Sequence, residues 1–110
     1  MSTDKTYNGW TNYETWNIAL WLGNEEHSYK YWRHKSESAF SMASASGFIT
    51  RSEIARFDLA DRLKREIQDA NPLAEDASMW ADLMGAALCE VQWDEIAGNW
   101  LSDVDGYEED

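Results

Sequence analysis

The chain has 110 residues, 44% hydrophobic and 14% aromatic, with one proline and one cysteine. That is enough for one packed core, too little for two, and too apolar for a wholly disordered chain. Nine Lys and Arg against 21 Asp and Glu give a net charge of −12, a field that repels nucleic acid and anionic membranes and attracts basic proteins. Cys89 alone cannot form an internal disulfide, which points to a reducing compartment, and no apolar run approaches the ~20 residues that span a bilayer.

Residues 1–9 are polar and aperiodic, an expected flexible N-terminal segment before a helical domain over 10–104. Thr11 and Glu14 have capping-box spacing and predict a helix running to Leu22, with Gly23 as a left-handed stop. Tyr13, Trp16, Ala19 and Leu20 cover one side of it and Ile18, Trp21 and Leu22 the other, so it reads as the central, fully buried element. Asn24 is placed to cap a second helix with the apolar stripe Tyr29, Trp32, Ala39, Phe40 and Ala43. The helix is expected to fray through the serines before Gly47.

The third helix carries a second capping box, Thr50 with Glu53, and the stripe Ile54, Phe57, Ala60, Leu63 and Ile67, and it ends at Asn71-Pro72. A fourth, from about 76–78, places Trp80, Leu83, Met84, Ala87 and Leu88 inward. A fifth, from about 93–94, does the same with Ile96, Ala97, Trp100 and Leu101. The fold class is therefore all-α: a compact bundle of about five short helices with a tryptophan-rich core, followed by an acidic tail over 105–110.

Catalytic chemistry finds little footing. His27 and His34 are seven apart without a second cysteine nearby, so neither a zinc site nor a cofactor is expected. Cys89 has acidic neighbours, which oppose thiolate formation, and reads as a small core or boundary residue. Gly85 and Gly98 fall inside helices, where they would permit close packing, and no glycine loop suits a phosphate. Aromatic platforms for single strands need a basic groove, and none accompanies Trp80, Trp93 or Trp100. Those three and Trp16, Trp21 and Trp32 lie on apolar stripes and read as core, while Trp10 precedes the first cap. Glu14 and Asn17, polar on an apolar helix, are expected to pin nearby loop amides or indoles.

All nine bases lie within residues 1–70, whereas 71–110 holds eleven acids and no Lys or Arg. Uniform adaptation to salt would not produce that asymmetry. It suggests either a solubilising surface with a solvated acidic tail or an anionic surface that a cationic protein could grip, with Asp82, Glu90, Asp94, Glu95, Asp103 and Asp105 as the leading contacts and Glu75 and Asp76 next.

The stretch Trp10-Thr11-Asn12-Tyr13-Glu14-Thr15-Trp16-Asn17-Ile18-Ala19-Leu20-Trp21 resembles the opening of a family of small uncharacterised proteins of bacteriophages, plasmids and their prokaryotic hosts. That family shares the pattern W-x-N-x-E-T-W-x-x-x-L-W, and Trp93-Asp94-Glu95-Ile96-Ala97 resembles a second recurring element of it. The resemblance implies a mobile-element setting and carries over no catalytic residue. Together with the charge, it leads to the expectation of a cytoplasmic anti-defence protein, anti-CRISPR or anti-restriction, that mimics DNA toward a basic host nucleic-acid-binding protein. The alternative is a non-catalytic interaction module that binds through the Trp10–Trp16 region.

Overall fold

The computed structural model describes residues 7–108. Five helices follow one another: α1 Tyr13–Asn24, α2 Glu26–Met42, α3 Arg51–Asp69, α4 Met79–Cys89 and α5 Trp93–Leu101. The domain is all-α, as the periodicity implied.

The α3–α5 pair forms the centre. Ala55, Leu59 and Leu63 of α3 and Ile96, Ala97 and Leu101 of α5 are almost wholly excluded from solvent, and Trp32 and Phe40 of α2 join them. The inward face of α5 matches its sequence stripe, with Trp93 added. On α3 the buried line is Ser52, Ala55, Leu59 and Leu63, which shares only Leu63 with the expected stripe, and Phe57 is 53% exposed. The reason is that α3 packs against both α2 and α5. Its core face is set between two neighbours, with Ile54, Ala60 and Ile67 half-buried along its flanks.

The capping box on α3 is complete: the Glu53 amide donates to Thr50 Oγ1 (3.1 Å) and the Thr50 amide donates to Glu53 Oε1 (2.8 Å). At α1 the expected cap is displaced by one residue. Asn12 Oδ1 accepts from the Thr15 amide (2.9 Å), leaving Asn12 Nδ2 to donate to the Glu90 carbonyl (2.8 Å). One side chain thus satisfies an α1 donor and an α4 C-terminal acceptor, which a Thr11 hydroxyl could not do. Gly23 is helical rather than left-handed, and the cap of α2 is Glu25, not Asn24. Helix α2 runs through Ser36, Ser38 and Ser41 and ends at Met42, ahead of Ser44 and Ser46.

The largest departure concerns α1 and α4. Thr15 is the one fully buried residue of α1, and α4 buries none. Trp21 is 68% exposed and Trp80 64%. Of the six tryptophans expected in the core, Trp32 and Trp93 are buried, Trp16 and Trp100 partly so. A helix apolar all round names no inward side, and a chain this short has room for one central helix pair. Amphipathic α3 and α5 occupy it, and α1 and α4 lie outside. Cys89 is exposed, and a Cβ at Gly85 would meet nothing within 4 Å, so that glycine mediates no close packing.

Long-range polar ties hold the periphery. The Gln92 amide donates to the buried Thr15 hydroxyl (2.9 Å), and the Thr11 amide donates to Glu95 Oε1 (3.3 Å). Thr15 and Asn12 therefore do the pinning expected of Glu14 and Asn17, whose side chains bond to no described residue. After α5 the chain returns to α3, where the Glu108 amide donates to Ser52 Oγ (2.9 Å). Gly106 makes that return possible: its φ is +91°, and a Cβ there would lie 3.2 Å from Phe40 Cε2.

Burial this uneven predicts uneven sensitivity. Leu59→Ala and Leu63→Ala should each cost about 2–5 kcal/mol in chemical denaturation, and Leu83→Ala less than about 0.5 kcal/mol. Thr15→Val, close in shape but without the hydroxyl, should cost about 1–3 kcal/mol by orphaning the Gln92 amide.

Candidate interaction surface

Helix α4 is the strongest anomaly of the surface. Met79, Leu83 and Ala86 follow one another at helical spacing with Trp80 beside them, and all four are exposed. Only Leu88, near the C-terminal end, packs on the core. Soluble domains scatter single apolar side chains over their surfaces; a contiguous apolar helix face is the mark of a contact surface.

The acids singled out in the sequence divide around this helix. Glu75 and Asp76 lie in the turns before α4, Asp82 in its first turn, Glu90 at its C-cap, and Asp94 in the first turn of α5. All five are exposed. The side-chain ion pairs among the described residues run between i and i+4 neighbours on α2 and α3 (Lys30–Glu26, Arg33–Glu37, Arg62–Glu66, Arg65–Asp61) and reach none of these five. Along α4 the rise of about 1.5 Å per residue separates Asp82 from Glu90 by roughly 12 Å, so these acids line the helix rather than cluster at a point.

The other three sit differently. Glu95 turns inward to the Thr11 amide, an intramolecular role that removes it from the free anionic set. Asp103 and Asp105 lie beyond the far end of α5, in a shallow groove shared with Arg33 and Arg51. Arg33 is held more firmly protonated than usual, first by the hydrogen bond with the Tyr29 hydroxyl (3.2 Å) and further by the Glu37 and Asp103 carboxylates. That groove is mixed in charge. Arg51 is committed to structure: its guanidinium lies 4.0 Å over the Phe40 ring and its Nε donates to the Phe40 carbonyl.

A second feature, which reading tryptophans as core obscured, lies where α1, α2 and α5 meet. Trp10, Trp16, Tyr29 and Trp100 line a cavity of about 220 Å³, with Asn99 and Asp103 also in its lining. Trp16 is braced from behind by Tyr7 and Tyr13, with ring centroids 5.1 and 5.5 Å away. Tyr7 is itself placed by reciprocal backbone bonds with Trp10 across a tight turn at Asn8-Gly9, both in the left-handed region.

His27 and His34 are exposed on α2. Among the described residues no group of three His, Cys, Asp or Glu side chains could hold a metal ion, and no helix is long and apolar enough to cross a membrane. These surfaces carry exposed apolar area, anionic charge and an aromatic recess.

No curated protein and no solved structure matches the chain. A family model does match, over residues 3–103, and by that match the chain belongs to DUF7249, a family of unknown function.

Proposed function

We propose that this is a non-catalytic binding protein that grips a cationic protein surface through α4 and its two corners. In this reading it is an anti-defence protein of phage or mobile-element type, anti-CRISPR or anti-restriction, working in the cytoplasm of a prokaryotic host. It takes the place of DNA on a basic host nucleic-acid-binding protein. The observation that carries the reading is the set of five exposed acids, Glu75, Asp76, Asp82, Glu90 and Asp94, without an ion-pair partner among the described residues. They belong to a third of the chain that contains no base.

Carboxylates along a helix can occupy positions where Lys and Arg of the partner otherwise hold phosphates. The apolar stripe among them adds what a phosphate backbone lacks, area that leaves water on contact. The charge then steers encounter and selects a basic partner, and the stripe slows dissociation. Asp103 and Asp105 contribute less, because Arg33 and Arg51 share their groove; Glu95 serves the fold.

A second reading has its own support: the aromatic cavity makes the Trp10–Trp16 region an interaction surface without any mimicry. The two separate on a partner captured from a host lysate. Mimicry predicts that duplex DNA displaces the protein and that affinity falls steeply between 50 and 300 mM salt. Combined Asp82→Asn, Glu90→Gln and Asp94→Asn should weaken binding by about tenfold or more at low salt. Binding that ignores DNA and salt and is lost in Trp10→Ala overturns mimicry in favour of the aromatic region.

A further inference from the structure

We propose that the cavity between α1, α2 and α5 is a binding site for an organic cation, an ammonium or guanidinium group held between aromatic faces and one carboxylate. The inference gives the aromatic-region reading its ligand chemistry, and it is tested on the protein alone, so its outcome is independent of DNA competition.

The residues make the argument. Four aromatic side chains from separate parts of the chain converge on one recess: Trp10 from the turn before α1, Trp16 from α1, Tyr29 from α2 and Trp100 from α5. The three indoles are only partly buried, and the Tyr29 ring is exposed, so all four retain accessible surface. Tyr29 and Trp100 are inclined at 46° with centroids 5.6 Å apart, forming a corner rather than a closed stack. Aromatic faces carry negative electrostatic potential and attract cations within about 6 Å, tryptophan most strongly. A purely apolar ligand would account for the rings alone.

Asp103 supplies the second and independent element. Its carboxylate is exposed, lines the same cavity and forms no ion pair among the described residues. Arg33, which feels the Asp103 charge from the neighbouring groove, makes its direct contacts with the Tyr29 hydroxyl and Glu37 and does not line the cavity. Aromatic rings with a carboxylate in the same lining match the requirements of a weakly hydrated cation: dispersion and quadrupole attraction around the charge, and a counter-charge that is in no direct ion pair among the described residues. A volume of about 220 Å³ admits one such head group and lies below the roughly 300 Å³ at which pockets for drug-sized ligands start.

Two sources share this chemistry, a free quaternary ammonium compound and a basic side chain of a protein partner. Titrations at constant ionic strength, followed through the tryptophan indole N–H signals in ¹⁵N-correlated NMR spectra, distinguish them. The probes are choline, its uncharged carbon isostere 3,3-dimethylbutanol, and blocked amides of lysine, trimethyllysine and arginine. The expected result is a saturable shift of the Trp10, Trp16 and Trp100 signals with the cations, at least fivefold weaker with the neutral alcohol.

Asp103→Asn, an exposed substitution that should leave the fold intact, is expected to weaken cation binding about threefold or more without changing the response to the alcohol. Trp100→Phe provides the ring test. Tighter binding of choline assigns a small-molecule ligand, and tighter binding of a blocked amide assigns a partner's side chain. An alcohol as effective as choline, or no indole shift at tens of millimolar cation, overturns the proposal.

Discussion

The structure depends on the burial of one helix pair. Leu59 and Leu63 on α3 and Ile96 and Leu101 on α5 exclude water from each other almost completely, and small residues at Ala55 and Ala97 let the helices approach. Aliphatic surface sequestered in this way is the dominant favourable term in folding a domain this small. Trp32 and Phe40 extend it onto α2. Neither α1 nor α4 owns a core of its own: α1 packs on α2 and α5, which the interlock holds in place.

That arrangement explains how a domain can have a closed core and still be unusually greasy outside. Two of its most apolar helices are docked rather than buried. They are fastened by Ile18, Ala19, Leu22 and Leu88, which pack on the core, and by polar bonds at defined points: Asn12 to the Glu90 carbonyl, the Gln92 amide to Thr15, and the Thr11 amide to Glu95. Those bonds fix position at small cost in area, leaving the outer faces of α1 and α4 to water or to a partner. Acids flanking α4 oppose pairing between copies through this surface, because like charges would be brought together. A basic counterpart meets no such penalty.

The same economy shapes the aromatic recess. Indoles that would fill a larger protein's centre are here displaced to the seam where three helices meet, because α3 and α5 already occupy the middle. Half-buried rings with accessible faces follow from that displacement. Asp103 reaches the seam because the chain leaves α5 there, before Gly106 allows it to fold back over Phe40.

Much of this was legible from residue order alone. Helix number and approximate limits follow from apolar spacing, and the Thr50–Glu53 cap is a local signal completed by four residues. The inward side of α5 could also be read, because its polar and apolar residues separate cleanly around the axis. The inward sides of α1 and α4 could not: apolar residues surround both helices, and whichever face is covered depends on which neighbours reach the centre first. For the same reason the acids could be counted but not arranged. Packing alone turns Glu95 toward a backbone amide, sets Asp103 beside aromatic rings, and leaves Asp82, Glu90 and Asp94 in water, since contacts across 80 residues are settled by how helices meet and not by the order of side chains along any one of them.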